Sequence, residues 1–187
     1  MVGGIGNDNP RGRGRGLLDV PTTPVQESGA ASGVGDLRVS ATYGLVDDGP
    51  VGVDLTGTVK LPTADEDKGL GTGETDYGVA LDMYRAVGGT MVFGGAGYTV
   101  LGDNEYIALD NVANANLGFS RNVGGGSAGV MYDWRQAASD TADDRSELTG
   151  FYSMRTGGRD KVQVYATAGL SDGSPDWGAG VSYTTGF

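Results

Sequence analysis

The chain ends in the stretch Trp177-Gly178-Ala179-Gly180-Val181-Ser182-Tyr183-Thr184-Thr185-Gly186-Phe187, and this stretch decides the fold. Apolar or borderline side chains fall at every second position from Trp177 to Phe187, with glycine, serine and threonine between them. Successive side chains of a strand point to opposite faces, so the pattern predicts a strand with one apolar and one small, polar face. Such a strand suits a wall with lipid on one side and water on the other.

The same alternation recurs along the chain from about residue 36. In the first segment Leu37, Val39 and Tyr43 share one face, while Arg38 and Thr42 lie on the other. Glycine and aspartate clusters separate the segments and predict tight turns, the clearest being the pair at 88–89. Nine strands are predicted in this way, near residues 37–45, 51–61, 76–84, 90–101, 107–120, 128–135, 147–155, 162–168 and 177–187.

An odd number of strands is a difficulty, because bacterial single-chain membrane barrels have an even number and closure removes the exposed edges. The short segment Gly16–Val20 is the best candidate for a tenth strand. We therefore expect an antiparallel, up-and-down transmembrane β-barrel of about ten strands over residues 16–187, preceded by a flexible arm, residues 1–15. Longer loops are expected on one side, at 21–35, 62–73, 139–145 and 171–176, with a shorter one at 102–104.

Composition excludes several classes of function. The formal net charge is −11, with 24 acidic against 13 basic residues, so no nucleic-acid partner is expected. Cysteine and histidine are absent, which removes disulfides, Ser-His-Asp catalysis and most zinc or copper sites. No carboxylate pair has a spacing that indicates catalysis, so we expect neither an enzyme nor a cofactor. The first thirty residues lack the apolar run of a signal peptide, so an exported form would have lost it already.

Two stretches carry a resemblance to a known family. They are Gly33-Val34-Gly35-Asp36-Leu37-Arg38 and the longer Leu55–Gly73, which reads LTGTVKLPTADEDKGLGTG. Both resemble an outer-membrane β-barrel family named for meta-pathway phenol degradation, whose members are described as transporters. The resemblance covers about residues 33–187 and implies a location in the bacterial outer membrane. It also implies that Phe187 is a signal read by the barrel assembly machinery.

Charged and polar side chains on the polar phase are predicted to line the lumen. They could form a path that selects solutes by charge, or a plug of mutually neutralising ion pairs, because a ten-stranded barrel is only slightly wider than one filled by its own side chains. The predicted lumen-lining residues are Arg38, Asp54, Lys60, Asp76, Asp82, Asp133, Arg135, Glu147, Arg155 and Gln163.

Aromatic residues on the apolar phase are predicted to form belts at the two membrane interfaces. Three others, Tyr84, Phe151 and Tyr165, have the inward phase and could stack on an aromatic ligand. The acidic loop at Asp65–Asp67 lacks the spacing of a calcium loop, so no metal site is expected. The predicted belt residues are Tyr77, Tyr98, Tyr106, Trp134, Tyr152, Trp177 and Tyr183.

The sequence is compatible with three functions. The first is an outer-membrane barrel that aids passive diffusion of small or hydrophobic compounds. The second is a structural or adhesion barrel with a plugged lumen and partner-binding loops. The third is a soluble lipid-binding β-barrel, which requires an apolar interior. Burial of Leu55, Leu117, Val130 and Val164 would favour the third and exclude the other two.

Overall fold

The structure is a computed structural model that describes residues 33–46, 49–65, 70–102, 109–157 and 160–185. These residues form nine antiparallel strands in one sheet, and no helix occurs among them. The strands are β1 (Leu37–Val46), β2 (Val51–Leu61), β3 (Asp76–Val87), β4 (Thr90–Val100), β5 (Val112–Val123), β6 (Gly126–Arg135), β7 (Arg145–Gly157), β8 (Asp160–Gly169) and β9 (Trp177–Thr184).

Each strand pairs with the next one along the chain, in the order β1 to β9. This up-and-down antiparallel order agrees with the sequence prediction, and the nine strands of the described residues correspond to the nine alternating segments. The turn predicted at Gly88 and Gly89 is confirmed, because both residues have positive φ angles, 55° and 82°, as the tightest hairpin turns require. Register shifts occur at only two places among the described ladders, near Gly44 in β1 and near Gly157 in β7.

The two ends of the sheet differ in the length of their connections. At one end, which we call the turn end, the connections are residues 47–50, 88–89, 124–125 and 158–159. At the other, the loop end, they are residues 62–75, 101–111, 136–144 and 170–176. Short turns on one side and long loops on the other agree with the pattern expected from the sequence.

The two faces of the sheet have inverted polarity. One face, which we call the outer face, exposes the large apolar side chains: Leu55 is 38% exposed, Leu117 63%, Val130 36% and Val164 44%. The other, inner face buries polar side chains, among them Lys60, Ser120, Thr149 and Gln163. The arrangement is the reverse of a water-soluble protein's, in which the apolar side chains are the buried ones.

The sheet curls around its inner face. The sheet is a single layer whose inner side chains are buried while its outer ones are exposed, as expected for a sheet that encloses one of its faces. Burial on this face extends across the sheet, from Lys60 in β2 to Gln163 in β8. The enclosed side chains therefore belong to most of the strands and not to one local fold of the sheet.

The fifth strand begins later than the sequence predicted. Alternation indicated a strand from Ile107, but β5 begins at Val112, and Leu109 lies in the preceding connection. The amide of Asp110 donates to the carbonyl of Ala138 in the connection after β6, and residues 109–111 belong to no ladder. Leu101, Gly102 and residues 109–111 thus belong to the connection between β4 and β5, while Ile107 and most of the predicted loop at 102–104 lie outside the described residues.

The first and last strands each have one partner in the described part of the chain. β1 pairs with β2 and β9 with β8, and no ladder joins β1 to β9 there. Both run from the loop end to the turn end, so they point in the same direction. The predicted arm, the candidate tenth strand Gly16–Val20, Tyr106 and Phe187 lie outside the described residues. Within the described ranges, no helix is long and apolar enough to cross a bilayer.

Candidate functional site

The structure places all ten predicted lumen residues on the inner phase of their strands. Lys60, Asp76 and Gln163 are buried there. Arg38 and Arg155 are exposed, at the loop end and the turn end respectively. The half-buried members are Asp54, Asp82, Asp133, Arg135 and Glu147.

Lys60 is the centre of a buried charge cluster at the loop end. Its Nζ lies 2.9 Å from Oδ2 of Asp76 and 3.2 Å from Oδ2 of Asp36, and it donates to Oγ1 of Thr72 at 3.0 Å. The side chains of Lys60, Asp36 and Asp76 are only 7%, 11% and 9% exposed. The second carboxylate oxygens accept backbone N–H groups, Asp36 from Ala64 and Asp76 from Gly102. The cluster therefore ties the start of β1 and the loops after β2 and β4 together.

A second charged group lies on β6 and β7 at the same end. Arg135 faces Arg145 directly across the ladder, and Asp133 faces Glu147 in the same way. Arg145 donates to Glu147 through its Nη2. The guanidinium of Arg135 makes no hydrogen bond or ion pair with any residue in the described part. Like charges thus face each other across this pair of strands, and the guanidinium of Arg135 has no partner among the described residues.

An acidic row runs across the inner face from β2 to β6. Asp54 of β2 faces Asp82 of β3, and through Gly95 and Asn116 the same row continues to Asp133. Oδ1 of Asn116 is buried and has no hydrogen-bond partner. No group of three or more acidic side chains in the described residues has the geometry to hold a metal ion. The row is thus a stretch of negative potential without a formed cation site.

An apolar cluster fills the inner face nearer the turn end. Tyr84, Phe93, Met131 and Phe151 are buried and pack together, and Met91 and Tyr165 pack against them. Phe93 and Phe151 lie over glycines of the neighbouring strands, Gly118 and Gly129, where a side chain would occupy the same space. Small residues opposite large ones let these rings lie flat against the wall. The interior therefore has a charged loop end and an aromatic cluster nearer the turn end.

The loops after β6 and β8 are joined by a serine network. The amide of Ser146 donates to Oγ of both Ser171 and Ser174, and Oγ of Ser171 donates to the carbonyl of Asp144 at 2.7 Å. Asp144 also accepts from Nε1 of Trp134 at 3.2 Å. This part of the loop end is thus held in one arrangement by side-chain to backbone bonds.

The described members of the predicted aromatic belt lie on the outer phase in two groups. Tyr77, Tyr98, Trp134 and Trp177 lie toward the loop end, and Trp177 is 76% exposed. Tyr152 and Tyr183 lie toward the turn end, where Tyr183 donates to Oδ2 of Asp160. The two groups are separated by the apolar middle of the strands.

Sequence reasoning missed three residues of the inner face. Asp36 was quoted only as part of a resemblance, Arg145 was assigned to a loop, and Phe93 was not assigned a face. The phase of Met91 and Phe93 against Val92 could have identified Phe93 as inward. Nothing local could have paired Asp36 with Lys60, because 24 positions of sequence separate them and their contact depends on the β1–β2 register.

The fold and the inner face together define a class of protein: an up-and-down β-sheet protein, curled around a charged and aromatic interior, with an apolar outer face. Residues 3–185 match the family described as "Putative MetA-pathway of phenol degradation", and the chain belongs to that family. The match begins about thirty residues earlier than the resemblance in the sequence indicated. A search of curated proteins finds no match to the chain.

Proposed function

We propose that the chain is a small β-barrel of the bacterial outer membrane that aids passive diffusion of small aromatic compounds. The observation that carries the membrane half is the inverted polarity, with Leu117 exposed on the outer face and Lys60 buried on the inner one. The hydrophobic effect disfavours exposure of such an outer face to water, whereas contact with lipid tails carries no such cost. The soluble lipid-binding alternative needs an apolar interior and a polar exterior, which is the opposite arrangement.

Closure of the barrel is part of the proposal. β1 and β9 run in the same direction, so one more strand running the opposite way could pair antiparallel with both. The family match extends back to residue 3, which makes the chain before β1 part of the family's sequence. We assign the closing strand to this part of the chain, with Gly16–Val20 as its best candidate. Deleting residues 1–32 should then abolish folding, while deleting residues 1–15 should not.

The two groups of outer aromatics support the orientation in a membrane. Tyrosine and tryptophan prefer the interfaces between lipid tails and water. Trp177 and Tyr77 near the loop end, with Tyr152 and Tyr183 near the turn end, would mark the two interfaces. The long loops then lie outside the cell and the short turns in the periplasm. The proposed partners are outer-membrane lipid and the barrel assembly machinery, which would read the last strand and Phe187.

The class of solute rests on two observations. The family's description names phenol degradation, and the inner face carries the aromatic cluster of Tyr84, Phe93 and Phe151. Flat aromatic solutes can pack on aromatic side chains through favourable edge and face contacts. The proposal assigns the chain a role in entry of such compounds and no chemical reaction.

The test has two stages. The purified chain should need detergent to stay in solution, and its folded form should migrate differently from the heated form on a gel. Reconstituted into liposomes, it should then speed entry of phenol, measured with a dye or enzyme enclosed in the vesicles. Folding in plain buffer without detergent would contradict the membrane half. Liposomes no more permeable than those with an unrelated small barrel would contradict the diffusion half.

A structural barrel with a plugged lumen is the second candidate. It is favoured by the packing of Tyr84, Phe93, Met131 and Phe151, which closes part of the interior, and by the Lys60 cluster at the loop end. The serine network around Ser146 would then hold the loop end as a surface for partners. This candidate predicts a folded, heat-modifiable barrel through which phenol does not pass.

A further inference from the structure

Arginines from three strands converge on the inner face at the loop end. Arg135 in β6 faces Arg145 in β7 across the ladder. Arg38 lies on the inner phase of β1 at the same end, across the ladder from Lys60, and its positive charge adds to that of Arg145 at Arg135. Like charges brought together in a partly enclosed space repel one another, and an anion between them would remove that repulsion.

The hydrogen-bond donors of this group are not fully used. Within the described ranges, Arg135 and Arg38 make no side-chain hydrogen bond or ion pair. Nε of Arg145 is buried without a partner, although Nη2 donates to Glu147. A guanidinium presents five donors in a planar fork, so these side chains retain donors that no described protein group satisfies.

The acidic groups nearby do not neutralise this site completely. Glu147 is held by Arg145, and Asp76 is held by Lys60. Asp133, two positions before Arg135 on the same face, is the remaining carboxylate that acts on it, without reaching ion-pair distance. The carboxylates therefore reduce the positive potential, but they do not occupy the remaining hydrogen-bond donors of the arginines.

We propose that Arg38, Arg135 and Arg145 form a binding site for a small carboxylate at the loop end of the interior. A carboxylate matches the guanidinium fork with two parallel hydrogen bonds, which a neutral hydroxyl cannot make. Because the aromatic cluster lies deeper along the same face, the ligand class is a small aromatic acid. The choice of an aromatic acid rests on the proposed function in diffusion of aromatic compounds. Binding of a carboxylate at the arginines does not itself require that the compound cross the barrel.

Calorimetric titration of the folded, detergent-solubilised chain with benzoate and with benzyl alcohol tests the site. Benzoate should bind, and more weakly as salt is raised, while benzyl alcohol should bind at least tenfold more weakly. Arg135→Gln should weaken benzoate binding tenfold or more. Asp133→Asn, which removes the opposing charge, should strengthen it. Arg85→Gln removes an exposed arginine at the turn end and should leave it unchanged.

Three results would overturn the site: no benzoate binding to the wild-type chain, equal loss in Arg85→Gln, or full binding retained in Arg135→Gln. If Arg135→Gln does not fold, Asp133→Asn decides the question, since weaker binding in that variant contradicts an anion site. Phenol flux measured in parallel separates the two proposals. Flux without benzoate binding removes the carboxylate site alone, and binding without flux removes the conduit alone.

Discussion

The ring of Phe93 lies against the backbone of Gly118 in the next strand. A methyl group added to Gly118 would lie 2.6 Å from Cζ of Phe93 and 2.7 Å from the carbonyl oxygen of Val130. The ring is held in the buried cluster and the carbonyl belongs to the ladder, so neither can move away freely. We expect Gly118→Ala to destabilise the folded chain by about 1–3 kcal/mol, the usual range for overpacking. Denaturant unfolding in detergent measures the change.

Gly150→Ala is the matched control for this prediction. Gly150 is also a strand glycine, but nothing lies within 4 Å of a methyl group added there. Its substitution should therefore leave stability nearly unchanged or raise it slightly, because alanine loses less backbone entropy on folding. Equal destabilisation by both substitutions would show that the contact of Phe93 with Gly118 is not the cause.

Lys60 compensates two buried carboxylates, so Lys60→Met leaves Asp36 and Asp76 facing each other without a cation. Removing one partner of a buried ion pair costs roughly 3–5 kcal/mol, because the remaining charge is left without compensation. The variant should unfold at markedly lower denaturant concentration than the wild type. Arg85→Met, at an exposed position of the turn end, is the control for loss of a positive charge.

A second substitution tests whether the loss of stability in Lys60→Met comes from the uncompensated carboxylates. Combining Lys60→Met with Asp76→Asn removes one of the two uncompensated charges. This double variant should recover part of the lost stability relative to Lys60→Met alone. A double variant less stable than Lys60→Met would show that the packing of the Lys60 stem, and not its charge, accounts for the effect.

Substitutions in the aromatic cluster distinguish an open conduit from a plugged barrel. In the double variant Phe93→Ala and Phe151→Ala, two buried rings are removed from the same cluster. If this cluster is the narrow point, single-channel conductance in planar bilayers should rise at least severalfold, because the interior there becomes wider and wetter. Phe119→Ala removes a ring that is exposed on the outer face and should leave conductance unchanged.

The strands and their faces could be predicted because alternation is a local property of the sequence. Leu55 and Lys60 fall on opposite phases of β2, and the structure places them on opposite faces. Pairing of each strand with its chain neighbour also followed, since short turns such as Gly88-Gly89 allow only a hairpin.

The inner site was less predictable because it depends on contacts between strands. Arg135 meets Arg145 only through the register of β6 and β7, and the periodicity of a single strand does not report its partner across the ladder. The start of β5 was also misplaced: Leu109 alternates with its neighbours as a strand residue would, yet the ladder with β4 begins at Val112. Alternation thus predicted faces reliably, while strand ends and interior partners were set by tertiary contacts.

The outer face offers the sharpest test of the membrane proposal. Leu117 lies in the middle of β5 and is 63% exposed, so in the proposed barrel it faces lipid tails. Leu117→Arg should therefore lower the free energy of unfolding in lipid vesicles by about 2–4 kcal/mol, as expected for arginine near the middle of the bilayer. Thr42→Arg, on the inner phase of β1, is the control, because a charge added there would face the polar interior. In a protein surrounded by water, Leu117→Arg would instead be tolerated and would improve solubility, and that outcome would contradict a lipid-facing wall.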